Sequence, residues 1–300
     1  MADPSAPPVI IEAALNGVTT KLHTPLAPVG PDDLAADAIA CLDAGATIVH
    51  THADNLGAPI AALTTRYADC FRVILDARPE ALLYPTIGFG SSVAERFGHV
   101  GSLAAEGLVH AAAVDPGSVN LGGTGPDGLP PPMEFVYANP FADIRYAFDL
   151  AAQHRIGPSV AIFEPGFLQV VLAYFDAGAL PPGTLVKFYF AAGGYLTPGR
   201  ALWGAPPIIE ALDLYLAMLG ERPIPWAIAV VGGSLFDHTD LAVDALGRGA
   251  HLRVGLEDWA DGPANVEQVE RAAALVLDAG RSVATPAETA TLLALPKHRS

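Results

Sequence analysis

The sequence is poor in charge, in cysteine and in basic residues, and each shortage excludes a class of protein. Charged residues make up only 16% of the 300 residues and hydrophobic residues 51%, so the chain can bury a large core and is not disordered as a whole. Two cysteines cannot form a disulfide scaffold. The 16 basic residues face 32 acidic ones, and the formal charge of −16 excludes nucleic acid and anionic membrane surfaces as general partners.

Long apolar runs are absent as well. The runs at 180–194 and 224–231 are broken by Gly, Pro or charge, and none approaches the ~20 residues of a membrane helix. Residues 1–8 are polar and proline-rich, unlike a signal peptide, and are expected to form a disordered extension. Cys41 and Cys70 fall in helical patterns and are interpreted as reduced core thiols. These features predict a soluble cytoplasmic protein with no membrane partner.

Short apolar runs that are rich in β-branched residues alternate with helical patterns along the chain. Eight of them have the composition of buried parallel strands: 9–13, 47–50, 82–86, 118–121, 159–163, 185–190, 226–231 and 251–254. No low-complexity linker separates the units. The pattern predicts one α/β domain over residues 1–300, a TIM (β/α)8 barrel, with an open doubly wound sheet as the alternative. Active sites of such barrels lie at the carboxyl ends of the strands.

Two histidines end the second predicted strand. His50 and His52 are two residues apart, and the strand period of two puts both side chains on the same side. Two neutral imidazoles at the barrel mouth can hold one divalent cation such as zinc. The alternative is that hydrogen bonds satisfy both histidines at a strand end, because an isolated HxH motif has low specificity.

Two adjacent carboxylates follow the eighth predicted strand. Glu257 can complete a His-His-Glu ligand set with an open position for substrate, which leaves Asp258 free to act as a base. Arg253 lies on the same strand, and a buried guanidinium needs a carboxylate partner. Strict alternation separates Asp258 from the other two, so all three reach the mouth only if the chain leaves the strand near Gly255. The alternative is that both carboxylates cap the next helix and the arginine lies at the surface.

Glu12 interrupts an otherwise apolar first strand. Strand one of a closed barrel lies beside strand eight, so a buried pair between Glu12 and Arg253 is predicted, since an isolated buried carboxylate is costly. If Glu12 faces the pocket instead, it is a candidate substrate contact. Glycine-rich turns after several strands could let backbone N–H groups approach a ligand, although ordinary tight turns are the alternative.

Several segments together resemble the β-keto acid cleavage enzyme family. They run in order along the chain, and the most specific are IVHTH at 48–52 and GAHLRVGLED at 249–258, with IIEAALNGVTT at 10–20, WAIA at 226–229 and GRSVATP at 280–286. The resemblance implies a zinc-dependent TIM barrel that converts a β-keto acid and acetyl-CoA into acetoacetate and a new acyl-CoA. By resemblance, the zinc ligands are His50, His52 and Glu257. Asp258 then matches the catalytic base, and Arg253 the arginine that orients it.

The resemblance extends to the substrate. Gly88, Ser118 and Asn120 match positions that contact the keto-acid or acetoacetate part. Val18 stands where the family members with an amino substrate have a glutamate for the substrate ammonium, so a substrate without a cationic tail is expected. Pro85 replaces a substrate-contacting serine, and the neighbouring Thr86 is taken as a further contact.

Two departures concern arginines. Ala53 stands where the family has an arginine just after HxH, and Gly233 replaces one after strand seven. The expected small-molecule partners are a β-keto acid and acetyl-CoA. The chain is also expected to form a homo-oligomer, which by family resemblance is a tetramer. The first alternative is a metal-dependent retro-aldol-type C–C lyase that needs no CoA. The second is a barrel that keeps the metal for structure or binding only.

Overall fold

The computed structural model describes residues 6–195 and 197–296, and in them eight strands alternate with helices. The strands are β1 (Ile11–Ala14), β2 (Ile48–Thr51), β3 (Leu82–Pro85), β4 (Ala111–Val114), β5 (Gly157–Ile162), β6 (Leu185–Ala191), β7 (Trp226–Val231) and β8 (His251–Val254). The α-helices are α1 (Pro31–Asp43), α2 (Ile60–Ala77), α3 (Val93–Ala105), α4 (Phe141–His154), α5 (Pro165–Asp176), α6 (Ile209–Leu219), α7 (Thr239–Gly247), α8 (Asn265–Asp278) and α9 (Pro286–Leu292), and a 3-10 helix (Leu235–His238) precedes α7.

The strands form one sheet that curls into a barrel. Its order is β3-β2-β1-β8-β7-β6-β5-β4, and the ladders between these strands are parallel. The two end strands meet where the amide of His110, just before β4, donates to the carbonyl of Leu83 in β3 at 2.9 Å. The predicted TIM barrel is therefore confirmed. Strand β1 lies between β2 and β8, which brings the first and last strands together.

Helices cover the outside of the barrel because each has one apolar stripe. Helix α2 shows the spacing, since it buries Leu63, Tyr67, Phe71 and Ile74, one turn apart, against the sheet and neighbouring helices. None of the helices within residues 6–195 and 197–296 combines the length and apolar character that crossing a bilayer requires.

The position predicted for the fourth strand was wrong. The strand is Ala111–Val114, whereas 118–121 belongs to the loop after it and contributes an antiparallel bridge from Val119 to Tyr137. Alanine is depleted in strands, so the true strand has a weak signal in the sequence. Packing explains it: Ala112 and Val114 are buried beneath the helices, and the small side chain of Ala113 lines the central cavity.

Residues near the two ends of the described part of the chain contact each other. Residues 1–5, which make up most of the predicted disordered extension 1–8, lie outside the described residues. Among the described residues, the carbonyl oxygen of Pro7 accepts hydrogen bonds from the Arg281 guanidinium at 2.6 and 3.1 Å.

Candidate metal centre and active site

The structure brings the three predicted ligand side chains together at the carboxyl ends of β2 and β8. The Nε2 atom of His50 lies 3.4 Å from Oε2 of Glu257, and Nε2 of His52 lies 3.5 Å from Oε1. One ligand atom from each of the three residues lies within 4.8 Å of the others, and all three residues are buried. Two imidazole nitrogens and one carboxylate are a ligand set used by catalytic zinc, with a fourth position left for water or substrate.

Gly255 turns the chain out of β8 so that the carboxylates reach the mouth. Its φ is +145°, and a Cβ atom there would lie 2.0 Å from the carbonyl oxygen of Ala14. A side chain would therefore collide with β1. Gly17, at φ +53° in the loop after β1, packs directly against the side chain of Glu257. A Cβ atom there would lie 2.4 Å from Cγ of Glu257. The two glycines fix the position of that carboxylate.

The ionisation states suit metal binding. Burial lowers the pKa of His50 to about 3, so its imidazole is neutral and its Nε2 can offer a lone pair. Its Nδ1 lies 3.3 Å from the carbonyl oxygen of Tyr84, a partner that favours a proton on Nδ1. Burial opposes the charge on Glu257, but the Arg253 guanidinium and the two imidazoles outweigh burial and hold the pKa well below its usual range.

Two polar atoms of the cluster stay unsatisfied. Within the described part of the chain, neither Oε2 of Glu257 nor Nδ1 of His52 has a hydrogen-bond partner, although both are buried. Buried polar atoms normally have partners. The free carboxylate oxygen faces the histidine nitrogens, which is the arrangement that a bound cation would satisfy.

Arg253 connects the carboxylates of the site. It is 1% exposed. Its Nε and Nη2 atoms each lie 3.0 Å from an oxygen of Asp258, and Nη2 also lies 2.9 Å from Oε1 of Glu257. Its Nη1 donates to Glu12 at 2.7 Å, which is the buried pair that the sequence predicts.

Asp258 is a buried carboxylate with a raised pKa. Burial raises its pKa above the usual range of an aspartate, the charge of Glu257 adds to the rise, and the Arg253 guanidinium limits it. A carboxylate with a raised pKa accepts protons more readily than one in water, which suits general-base catalysis.

Glu12 lies behind this cluster. Its Oε1 accepts hydrogen bonds from Tyr84 at 2.6 Å and from Lys187 at 3.0 Å, in addition to Arg253. Burial opposes its charge, but Lys187 and Arg253 outweigh burial and lower its pKa to about 2. Glu12 is not among the described residues that line the cavity, so the structure places it beside the arginine and not against a substrate.

A cavity of about 450 Å³ opens above the cluster. Of the substrate contacts expected from the resemblance, Val18, Thr86 and Gly88 line it. Ser118 and Asn120 do not: both are exposed in the loop after β4, and Oγ of Ser118 accepts a hydrogen bond from the amide of Asn139 at 2.9 Å.

Several polar residues of the cavity were not predicted as contacts of the β-keto acid. Tyr84, Lys187 and Asp115 line it, and Tyr137 donates a short hydrogen bond to the last of them. The sequence did contain a signal for Lys187, because this lysine interrupts an apolar strand just as Glu12 does. Two buried residues of opposite charge predict an ion pair. The mistaken fourth strand concealed Asp115, which directly follows the true one.

The fold and the cavity define the class of the protein as a TIM-barrel enzyme. The family model for beta-keto acid cleavage enzymes matches residues 8–295, so the chain belongs to the β-keto acid cleavage enzyme family, and the identification made from the sequence is confirmed.

Curated relatives agree with the family. The 3-keto-5-aminohexanoate cleavage enzyme of Fusobacterium nucleatum subsp. nucleatum is 27% identical, and the alignment covers 96% of this chain and 98% of that protein. The 3-oxoadipate:acetyl-CoA acetyltransferase of Cupriavidus necator is 26% identical, over 96% of this chain and 95% of that protein.

Among solved structures, apo ObcA superimposes with a TM-score of 0.66 at 17% sequence identity, over 90% of this chain. The chain spans 66% of the length of ObcA, and the likeness concerns the fold alone.

Proposed function

We propose that this chain converts a β-keto acid and acetyl-CoA into acetoacetate and a new acyl-CoA. The observation that carries the proposal is the ligand cluster of His50, His52 and Glu257 next to Asp258, which Arg253 holds, at the floor of one cavity. Family membership and a relative named for the use of acetyl-CoA support the same reaction.

The residues fit a divalent metal ion, and we propose zinc. His50 and His52 would offer Nε2, and Glu257 the oxygen that has no partner among the described residues. A bound zinc ion supplies Lewis acidity, which stabilises negative charge on a carbonyl oxygen.

The reaction then needs a base and no covalent enzyme intermediate. Asp258 removes a proton from C2 of the β-keto acid, and Arg253 keeps both carboxylate oxygens of the base oriented. The C2 carbanion attacks the thioester carbon of acetyl-CoA. The released CoA thiolate adds to the original keto carbon, the bond between that carbon and C2 breaks, and the proton returns to C2. The products are acetoacetate and the acyl-CoA of the original chain, so all atoms are accounted for.

The cavity wall supports a tail without positive charge. Val18, Phe89 and Phe135 offer apolar surface to the substrate tail. Val18 has no carboxylate that could pair with a substrate ammonium. The carboxylate of Glu12 is already held by three donors and does not line the cavity. Each buried CH₂ group of an uncharged tail would contribute about 0.8 kcal/mol.

The test is a panel of β-keto acids assayed with and without acetyl-CoA. We expect acetoacetate and an acyl-CoA to form only when acetyl-CoA is present. Cleavage at the same rate without acetyl-CoA would favour the retro-aldol-type lyase. Full metal occupancy without turnover of any acid in the panel would favour a binding role.

We also propose that the chain acts in the cytoplasm as a homo-oligomer, a tetramer by resemblance to its family. Cys41 and Cys70 are both buried and unpaired, which suits a reducing compartment. Light scattering on the purified protein measures the assembly, and a monomeric mass would contradict this part of the proposal.

A further inference from the structure

Lys187 points into the barrel, where a lysine is unusual. It is 2% exposed, it lies in the middle of β6, and it lines the cavity. Its Nζ donates to Oε1 of Glu12 at 3.0 Å and to the hydroxyl of Tyr84 at 2.7 Å. An ammonium group has three N–H donors. Among the described residues, two acceptors are found, which leaves one donor for a ligand in the cavity.

Arg253, the neighbouring cation, has no such donor to spare. A guanidinium has five N–H groups. Asp258 and Glu257 accept from Nε and from both N–H groups of Nη2. Glu12 accepts from Nη1 at 2.7 Å, and the hydroxyl of Tyr84 lies 3.4 Å from the same nitrogen. Within the described chain, this arginine can bind an anion only by giving up one of these contacts.

Arg96 also lines the cavity, and it too is engaged. Its Nη2 donates to Asn139 at 2.7 Å and its Nη1 lies 3.3 Å from Asp143. A negatively charged β-keto acid entering the cavity meets the carboxylates of Glu257 and Asp258. A bound zinc ion would hold its keto oxygen and one carboxylate oxygen, so the second carboxylate oxygen still needs a free donor, since an unpaired polar atom in a buried site is costly.

Ser159 adds a neutral donor beside Lys187. It lies on β5, where Ala161 pairs in register with Lys187, so Ser159 is two residues away on the same face of the sheet. It is 5% exposed and lines the cavity. Its Oγ lies close to the Tyr84 hydroxyl but makes no hydrogen bond of good geometry with a described residue, so this buried hydroxyl can turn to donate to a ligand.

We propose that Lys187, assisted by Ser159, receives the carboxylate of the β-keto acid and is a substrate-binding residue of this site. The inference rests on the proposed function for the identity of the ligand. Hydrogen bonds between an ammonium and a carboxylate are among the strong ones. Glu12 and Tyr84 hold the ammonium in place, and Glu12 balances its charge before the substrate arrives. The site thereby selects acids over neutral ketones of the same shape.

The test compares an acid with its neutral ester. The zinc-loaded full-length protein is titrated calorimetrically with acetoacetate and with methyl acetoacetate, and the KM values for a β-keto acid and for acetyl-CoA are measured separately. For Lys187→Met, we expect roughly 10- to 100-fold weaker binding of acetoacetate, the usual worth of a hydrogen bond to a charged group. The ester should bind as it does to the unchanged protein, and KM should rise for the β-keto acid but not for acetyl-CoA. Ser159→Ala should weaken acetoacetate binding in the same direction by less.

Two further variants separate recognition from folding. Lys187→Met leaves Glu12 short of a partner, so the double variant Glu12→Gln/Lys187→Met removes one charge of each sign and keeps the buried balance. It should fold and still lose the preference for the acid. Lys21→Met removes an exposed ammonium that pairs with Asp33, and it should leave both affinities unchanged.

The outcomes are distinct. Equal weakening of acid and ester, or a double variant that keeps the preference for the acid, would overturn the inference and leave Lys187 as a structural partner of Glu12. If the unchanged protein turns over no β-keto acid, the proposed function fails. The difference between acetoacetate and its ester across the variants still decides the role of Lys187.

Discussion

Arg253 binds Asp258 through two of its nitrogens: Nε lies 3.0 Å from Oδ2, and Nη2 lies 3.0 Å from Oδ1. Two parallel hydrogen bonds of this kind fix the plane of a carboxylate as well as its position. Asp258 therefore has a defined orientation towards the cavity before any substrate binds.

This pairing gives the first prediction. Asp258→Asn keeps the size of the side chain but removes its ability to accept a proton. We expect turnover to fall roughly 10²-fold or more, the usual worth of a general base, while metal content stays the same. Steady-state kinetics and metal analysis of the same preparation check this. Loss of zinc would instead identify Asp258 as a ligand, and unchanged turnover would remove it from the mechanism.

The second prediction concerns the metal. His50→Ala and Glu257→Gln each remove one of three protein ligands, so both should lose most of the bound zinc, and chelation should inactivate the unchanged protein reversibly. Metal analysis after dialysis measures the occupancy. His23→Gln is the matched control, because His23 is an exposed histidine that pairs with Asp261. A variant of either ligand that keeps one zinc per chain would contradict the assignment.

The third prediction concerns the substrate tail. We expect a higher kcat/KM for 3-oxohexanoate than for 5-amino-3-oxohexanoate, because half-exposed Val18 gives a substrate ammonium no carboxylate partner, whereas an uncharged tail gains from contact with apolar surface. Val18→Glu should shift the ratio towards the amino acid substrate. A preference of the unchanged protein for that substrate would show that another carboxylate of the cavity takes this role. Asp115, which lines the cavity, is then the residue to replace with Asn.

The fourth prediction concerns stability and pH. Burial raises the pKa of Asp37 to about 6, although Asn265 donates to its carboxylate at 2.6 Å. The unfolded chain ionises this group near pH 3.9, so the folded protein loses stability as pH rises from about 4 through about 6. Asp37→Asn removes that loss.

We therefore expect Asp37→Asn to raise the free energy of unfolding by roughly 1–3 kcal/mol at pH 7.5 and to have little effect near pH 4. Urea denaturation at the two pH values measures both quantities. Asp69→Asn, at an exposed position of α2, should change neither by more than about 0.5 kcal/mol. Equal effects of Asp37→Asn at both pH values would contradict the assigned cause.

Periodicity predicted the barrel and the direction of its site because both depend on local patterns. The bounds of β7 and β8 agree with the prediction, and His50 and His52 do lie on one side of their strand's end. The departure from β8 at Gly255 was also foreseeable, since the carboxylates could meet the histidines only if the strand ended there.

The parts that escaped sequence analysis depend on tertiary packing. Strand β4 consists of alanines and one valine, and only the helices outside and the cavity inside explain why such a segment pairs. Ser118 and Asn120, expected from the resemblance to contact the substrate, lie in the exposed loop after this strand and do not line the cavity. The contact between Lys187 and Glu12 joins residues that are 175 positions apart: local patterns reveal each buried charge, but only the closed barrel brings the two together.

The three candidate metal ligands lie at the carboxyl ends of β2 and β8, the two strands that pair with β1 on either side. A cation bound by His50, His52 and Glu257 would therefore connect β2 to β8 across β1. Separating β2, β1 and β8 would then require the coordination bonds to break along with the backbone hydrogen bonds between these strands. The same ion that serves the chemistry would then also stabilise the barrel. Its loss would expose the edges of β1 to amide hydrogen exchange and proteolysis before the rest of the barrel unfolds.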